Sequence, residues 1–166
     1  MGLLRATDYV ERVELIDPER LAADGIRALL LDRDNTCVPR DAHEAPASVA
    51  AWLDDVRAHG IATCLVSNNT HVRHVERSAA ELGCDYVAAS FKPLPFAVWR
   101  ALARLGVPRE QACLVGDQLF TDVAAGNAAG VRTILVRPQC DEDLWYTNLL
   151  FRVPERALLR NVTFRS

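Results

Sequence analysis

The sequence predicts an α/β fold in which a parallel sheet carries helices on both faces. Apolar, β-branched runs of strand length alternate with amphipathic segments of helical spacing, and the connections between them are short. Glycine ends each predicted helix, at positions 60, 83, 106 and 130. This alternation is typical of β-α-β units, whose crossovers place helices on both sides of the sheet. We therefore expect a three-layer, doubly wound domain.

Five main strands are expected, each of them an apolar run, over residues 27–32, 61–67, 86–88, 112–116 and 131–137. Helices are expected between successive strands, over residues 47–59, 70–82, 95–105 and 121–129. A further helix start precedes the first strand, where Asp17 stands before Pro18. Since there are neither repeats nor low-complexity linkers, residues 1–166 are predicted to form one domain. It has a helical lead-in and a basic, aromatic tail over about 141–166.

The composition is that of an ordinary globular protein, with 50% hydrophobic and 25% charged residues. A net charge of -3 gives no reason to expect a nucleic-acid partner. No apolar run approaches the roughly 20 residues of a transmembrane helix, and the amino-terminal residues lack the apolar stretch of a signal peptide. The five cysteines form no C-x-x-C pair. We therefore expect a cytoplasmic protein without disulfides or a zinc cluster.

Two aspartates one residue apart, Asp32 and Asp34, follow the apolar run Leu29-Leu30-Leu31. A buried strand does not end in such charge without a reason, because ionised carboxylates near a core are costly unless they are paired or bind a metal. Open parallel sheets place their active sites at the carboxyl ends of their strands. The pair therefore predicts a functional site at the end of this strand.

Polar residues also follow three other predicted strands, at positions where an apolar core would not select them. They are Ser67-Asn68-Asn69, Lys92-Pro93 and Gly116-Asp117-Gln118, the last followed by Asp122. Parallel strands present their carboxyl ends along one edge of the sheet. We therefore expect carboxylates, a hydroxyl, a lysine and several backbone N–H groups to meet there.

Such a set of groups suits the hydrolysis of a phosphomonoester. A carboxylate can attack a phosphate dianion only if negative charge is neutralised, and Mg²⁺ does this with few protein ligands. A lysine and oriented backbone N–H groups neutralise the remaining phosphate oxygens. One carboxylate can then act as the nucleophile, while a second protonates the leaving alcohol and later activates water.

With these motifs in series, the chain resembles the haloacid dehalogenase (HAD) superfamily of phosphatases and, within it, the YqeG-type family of subclass IIIA. The motifs are Asp32-Arg33-Asp34-Asn35-Thr36, Ser67-Asn68-Asn69, Lys92-Pro93, Gly116-Asp117-Gln118-Leu119-Phe120-Thr121-Asp122 and Gly126-Asn127-Ala128-Ala129-Gly130. The resemblance spans nearly the whole chain. It implies a Rossmann-like HAD core and an enzyme that hydrolyses a phosphorylated substrate with Mg²⁺ through an aspartyl-phosphate.

The resemblance also implies roles for single residues. Asp32 would be the nucleophile, Asp34 the general acid and base, and Lys92 the group that stabilises charge. Mg²⁺ would be held by Asp32, Asp117 and the backbone carbonyl of Asp34. The supporting residues would be Ser67 and the N–H of Asn68 on the phosphoryl oxygens, Asp122 orienting Lys92 from outside the metal ligands, and Asn35 and Thr36 ordering the first loop.

The spacing of the motifs leaves no room for a cap domain. About thirty residues separate the first two motifs, and all of them are needed for one helix and one strand. The next gap is shorter still. We therefore expect an open site, which suits a large substrate or one presented at a surface.

Arg33, between the two aspartates, has two interpretations. It could bind a second acidic group of the substrate, or it could pair with a neighbouring acid. Arginine occurs at this position in subclass IIIA phosphatases that typically carry a Cys/His zinc loop, but the scattered histidines of this chain form no matching cluster.

The substrate and the tail leave further alternatives open. Phosphatidylglycerophosphate is the candidate substrate, because some eukaryotic relatives of the family act on it; the alternative is a small soluble ester such as a nucleotide or sugar phosphate. The tail either packs over the sheet edge or contacts the inner face of a membrane through its arginines and aromatic residues. A non-catalytic regulatory protein of the same fold is less well supported, since the acids and Lys92 are intact. The oligomeric state is not predicted.

Overall fold

A six-stranded parallel sheet forms the centre of the protein. The computed structural model describes residues 2–42, 44–140, 153–160 and 162–166. The strands are β1 (Asp8–Val10), β2 (Ala28–Leu31), β3 (Ala62–Val66), β4 (Asp85–Val87), β5 (Ala112–Gly116) and β6 (Arg132–Val136). Their order across the sheet is β1-β6-β5-β2-β3-β4, and every neighbouring pair is parallel.

Helices cover both faces of this sheet, so the predicted three-layer α/β fold is confirmed. The helices are α1 (Pro18–Ala23), α2 (Ala47–Ala58), α3 (Val72–Leu82), α4 (Phe96–Leu105), α5 (Ala124–Ala129) and α6 (Val153–Leu158). Alternate residues of β2 enter different cores: Leu29 and Leu31 pack with α2 and α3, while Ala28 and Leu30 pack with α4 and α5. All four are fully buried, which is why the strand reads as a continuous apolar run.

Strand β1 was not among the five predicted strands. It has only three residues, and they stand beside the charged side chains of Glu11 and Arg12. Its partners lie far away in the chain: Tyr9 is opposite Leu135, and the carbonyl of Tyr9 accepts a hydrogen bond of 2.9 Å from the main chain of Arg165. A strand held by distant segments leaves no local signal in the sequence.

The last residues of the chain pack at this edge of the sheet. The ring of Phe164 meets that of Tyr9 edge-on at 5.7 Å, and the guanidinium of Arg137 lies over the Phe164 ring at 4.3 Å. For residues 162–166 this agrees with the first interpretation of the tail. Its other predicted membrane contacts, Trp145, Tyr146, Phe151 and Arg152, lie outside the described residues. Within the described ranges, no helix is long and apolar enough to span a bilayer.

In the part of the chain that the structure describes, no connection at the carboxyl end of a strand holds a cap domain. Between β2 and α5, the longest of these connections joins β2 to α2, and the next joins β4 to α4. The described residues therefore agree with the open site that the spacing of the motifs predicts.

Candidate active site

A buried ion-pair network lies at the carboxyl ends of β2, β4 and β5. The ammonium group of Lys92 lies 2.6 Å from Oδ1 of Asp32 and 2.7 Å from Oδ1 of Asp122. It also donates to the carbonyl of Val66 at 2.6 Å. Lys92 is only 5% exposed, and its three donors thus have three protein partners. We call Asp32, Lys92, Asp122 and Asp117 the floor of the site.

The side chain of Asn68 forms hydrogen bonds with both the main-chain N–H and the main-chain carbonyl of Lys92. Its Oδ1 accepts hydrogen bonds from the Lys92 N–H at 2.7 Å and from Ser90 Oγ at 2.6 Å, and its Nδ2 donates to the Lys92 carbonyl at 3.1 Å. The sequence predicts a role for the Asn68 N–H on phosphate. This second role, in which the side chain holds the loop that carries Lys92, was not predicted.

Asp122 is aimed at Lys92 by a π-helical turn over Leu119–Val123. In that turn the Asp122 carboxylate folds back, and its Oδ2 accepts from the Gln118 N–H at 3.0 Å. The carboxylate packs directly on the main chain of Gly116, where any Cβ would overlap it. Gly116 is therefore required by close approach, and both oxygens of Asp122 are engaged by the protein.

Three acids of the floor are close enough to share a cation. Oxygen atoms of Asp32, Asp117 and Asp122 lie within 4.8 Å of one another, and all three residues are buried. Thr36 Oγ1 donates to Asp117 Oδ1 at 3.4 Å. Carboxylate oxygens are the donors that hard divalent cations prefer, so the residues present fit such an ion.

Burial and neighbouring charges shift the pKa values of Asp32 and Lys92. Burial raises the pKa of Asp32; Lys92 opposes this rise, and the neighbouring acids Asp122, Asp117 and Asp34 add to it. Burial by itself would lower the pKa of Lys92, but Asp122 and Asp32 outweigh it and raise that pKa. Lys92 therefore stays charged. Further positive charge nearby would favour the ionised form of Asp32.

Arg33 pairs with the second aspartate of the motif. Its Nη1 donates to Oδ1 of Asp34, and its Nε donates to Ser78 Oγ of α3 at 2.9 Å. Arg33 is 7% exposed. Of its two interpretations, pairing with a neighbouring acid is the one that the structure displays. Ser78 was not predicted, and nothing local in the sequence marks it.

The loop after Asp34 is stabilised by its own polar groups. Asn35 takes a positive φ of 63°, which asparagine tolerates better than most residues, and its Oδ1 accepts from the Arg40 N–H at 3.0 Å. The carbonyl of Thr36 accepts from Gln139 Nε2 at 2.5 Å. Asn35 and Thr36 therefore lie where an ordering role for this loop requires them.

A small pocket of about 50 Å³ opens above the floor. It is lined by Asp32, Asp34, Arg40, Asn68, Lys92, Gln118, Thr121 and Asp122. Arg40 was not predicted, and Gln118 and Thr121 were noted only as parts of a motif. Ser67 is fully buried, its Oγ accepts from the Asn69 N–H at 3.1 Å, and it does not reach the pocket wall.

Known proteins share both the sequence and the fold. Residues 91–139 match the family model of HAD-hydrolase-like proteins. The "Probable phosphatase YqeG" of Bacillus subtilis (strain 168) is 33% identical over 151 residues, which cover 91% of this chain and 87% of that protein. The chain belongs to the YqeG-type family of HAD phosphatases. Membership makes it a hydrolase of phosphate esters, and the resemblance seen in the motifs is confirmed.

Two relatives of this YqeG-type chain carry a substrate in their names. One is phosphatidylglycerophosphate phosphatase 1 of Chlamydomonas reinhardtii (chloroplastic), 28% identical over 131 residues. The other is phosphatidylglycerophosphate phosphatase 1 of Arabidopsis thaliana (chloroplastic/mitochondrial), 28% identical over 145 residues. The matches cover 74% and 78% of this chain but 49% and 39% of those proteins. The chain thus spans less than half the length of either.

Solved structures agree with the fold of the YqeG-type chain. The cobalt-bound deoxy-D-mannose-octulosonate 8-phosphate phosphatase of Haemophilus influenzae superposes with a TM-score of 0.57 at 14% identity, covering 84% of this chain and 90% of that one. NagD from Escherichia coli gives 0.55 at 15% identity, covering 67% and 87%. These similarities concern the fold alone.

Proposed function

We propose that this YqeG-type phosphatase hydrolyses phosphomonoesters through an aspartyl-phosphate on Asp32, with Mg²⁺ as cofactor and phosphatidylglycerophosphate as candidate substrate. The observation that carries the proposal is the contact of Asp32 with Lys92 at 2.6 Å. Both residues line the small pocket, and two further acids lie beside Asp32. A carboxylate so placed lies beside a cation whose charge can also stabilise the transferred phosphoryl group.

In the first step, a carboxylate oxygen of Asp32 attacks phosphorus, and the bond from phosphorus to the ester oxygen breaks. Asp34 donates its proton to that departing oxygen, so that a neutral alcohol leaves. Lys92 stabilises the negative charge shared by Asp32 and the phosphoryl group. Asp34 is a pocket-lining residue, which gives it access to the leaving oxygen.

In the second step, Asp34 accepts a proton from water while the water oxygen attacks the phosphorus of the aspartyl-phosphate. The bond between phosphorus and the Asp32 oxygen breaks, which releases inorganic phosphate and restores both carboxyl groups. The same residue therefore acts as acid and then as base.

Asp32, Asp117 and the main-chain carbonyl of Asp34 would hold Mg²⁺. When bound, the ion supplies positive charge that offsets repulsion between the nucleophile and the phosphate dianion. We assign Asp122 to the orientation of Lys92 rather than to the metal, because both of its oxygens already contact protein groups. The main-chain N–H of Asn68 is the proposed phosphoryl ligand, Ser67 supports its loop by accepting from the Asn69 N–H, and Thr36 orders the loop after Asp34.

The lipid substrate is supported by the two relatives named as phosphatidylglycerophosphate phosphatases and by the absence of a cap over the described site. A lipid substrate would bring this enzyme to the inner face of a membrane as a peripheral protein. The competing substrate is a small soluble phosphate ester.

The catalytic proposal is tested with p-nitrophenyl phosphate and Mg²⁺. We expect wild-type turnover and a loss of about 10³-fold or more in kcat for Asp32→Asn, since this variant lacks the attacking oxyanion. The matched control is Asp41→Asn, an exposed aspartate of the same loop, which should keep full activity. Full activity in Asp32→Asn would show that Asp32 is not the nucleophile.

The substrate proposal is tested by comparing phosphatidylglycerophosphate in detergent micelles with soluble glycerol phosphates. We expect a higher kcat/KM for the lipid with the wild-type enzyme. Equal or higher values for the soluble esters would reject the lipid and favour the competing substrate class.

A further inference from the structure

An apolar patch lies beside the catalytic lysine. Of the eight exposed large hydrophobic side chains among the described residues, four fall within a single stretch of the chain: Phe91 (68% exposed), Leu94 (51%), Phe96 (64%) and Trp99 (46%). We call these four residues the 91–99 patch. Isolated exposed apolar residues are ordinary, whereas a concentration of them marks a binding surface.

Local contacts hold the patch together at the amino-terminal end of α4. The Leu94 N–H donates to the Phe91 carbonyl at 3.0 Å in a tight turn, and the rings of Phe96 and Trp99 meet edge-on at 5.7 Å. The core does not require these side chains, because α4 already buries an inner face made of Ala97, Val98, Ala101 and Leu102. The helix therefore presents apolar residues on both sides.

The backbone at Phe91 has a strained conformation. Its φ is 53°, in the left-handed region that residues with a Cβ seldom adopt. Strained residues persist where the surrounding structure holds them, and they concentrate at functional sites. Here the strained residue is an aromatic side chain that points away from the core, directly before Lys92.

The segment that carries the patch contains basic residues and no acidic residue, which suits an anionic partner. The chain has 22 acidic residues among 166, yet residues 86–109 contain none. The cations in that segment are Lys92, Arg100, Arg104 and Arg109. Lys92 is buried, Arg104 pairs with Asp85 at 3.0 Å and Arg109 pairs with Glu110 at 2.9 Å. Arg100 is exposed next to Trp99.

We propose that the 91–99 patch docks on the surface of an anionic phospholipid bilayer. Aromatic side chains on an amphipathic helix enter the headgroup region, and arginines next to them attract anionic lipids. Docking there would hold the pocket at the membrane surface, because Phe91 and Lys92 are consecutive residues. This inference rests on the lipid form of the proposed function, and it names a membrane contact other than the predicted tail.

The test measures sedimentation of the full chain with vesicles made of equal parts phosphatidylglycerol and phosphatidylcholine, and with phosphatidylcholine alone. We expect binding to the mixed vesicles and about tenfold weaker binding for Phe96→Ser, which loses the burial of one aromatic ring. The matched control is Leu15→Ser. Leu15 is an exposed apolar residue of the short turn Val13–Leu15, which contacts α2 on the other face of the sheet, and the variant should bind as wild type does.

A second pair of variants tests the electrostatic part. Arg100→Gln should weaken binding to the mixed vesicles about fivefold at low salt, because each arginine near an anionic surface contributes modestly. Arg20→Gln, an exposed arginine in α1, should leave binding unchanged. All four variants should hydrolyse p-nitrophenyl phosphate as wild type does, since none of them alters the proposed catalytic residues.

Wild-type binding that Phe96→Ser retains would overturn the proposal, as would wild type that binds neither kind of vesicle. A concentration-dependent dimer that Phe96→Ser abolishes, without vesicle binding, would assign the patch to a second copy of the chain and would also overturn it. These failures are distinct from failure of the proposed function, because turnover of phosphatidylglycerophosphate in micelles requires no bilayer.

Discussion

The floor of the site and the 91–99 patch invert the usual distribution of residues. Lys92 is 5% exposed and Phe91 is 68% exposed, although they are neighbours in the chain. Charged groups are normally outside and aromatic rings inside, since burying an ion requires partners and exposing a ring forgoes hydrophobic stabilisation. Both regions therefore lower stability relative to an ordinary loop. The proposed function accounts for both: the floor would neutralise phosphate, and the patch would meet the membrane surface that carries the substrate.

The largest expected effect comes from removing the cation of the floor. Lys92→Met leaves Asp32 and Asp122 buried without their common partner, and we expect a loss of about 3–5 kcal/mol in the free energy of unfolding together with loss of activity. Urea denaturation measures the first. Arg100→Met, an exposed cation of α4, is the control and should change stability little. Equal stabilities for the two variants would show that the floor does not depend on its ion pairs.

The next effect concerns a divalent cation at the same acids. Mg²⁺ at about 100 times its dissociation constant should stabilise the folded protein by about 2.7 kcal/mol. Thermal unfolding with Mg²⁺ and with EDTA measures the difference without any substrate. Asp117→Asn should lose most of this stabilisation, whereas the exposed Asp41→Asn should keep it. A full shift in Asp117→Asn would place the ion elsewhere.

How much of this site the sequence reveals depends on the range of the contacts. Asp32, Asp34, Lys92, Asp117 and Asp122 are visible because each polar residue interrupts or follows an apolar strand, and because parallel topology brings such ends together. The same patterns of apolar runs predict β2 to β6 and the helices between them.

Contacts between distant side chains were not visible. The hydrogen bond from Arg33 to Ser78 joins residues 45 positions apart, and the side chain of Asn68 reaches the main chain of Lys92 across 24 positions. Such bonds depend on how α3 and the β4–α4 loop pack, and they impose no periodicity on the sequence. The π-helical turn that positions Asp122 was also not predicted. Its residues run directly into α5, so the sequence pattern does not distinguish them from the start of that helix.

A smaller effect is expected at Arg33, which links Asp34 to α3. Arg33→Met removes the partner that orients Asp34, so proton donation to the leaving group should suffer. We expect kcat to fall about 10- to 100-fold for an alkyl phosphate and much less for p-nitrophenyl phosphate, whose leaving group needs little protonation. A rise in KM at unchanged kcat would instead favour substrate binding by Arg33. Ser78→Ala, which removes only the second contact of the guanidinium, should show the same pattern more weakly.

The smallest effect on stability is expected at the patch, and it gives the sharpest contrast with the floor. Phe96 is 64% exposed, and its main contact is the edge-on ring of Trp99. Phe96→Ser should therefore change the free energy of unfolding by no more than about 0.5 kcal/mol, as exposed substitutions do. Urea denaturation beside Lys92→Met checks this directly. A loss of several kcal/mol would mean that Phe96 stabilises the fold, and its exposure would then give no reason to assign it to a membrane.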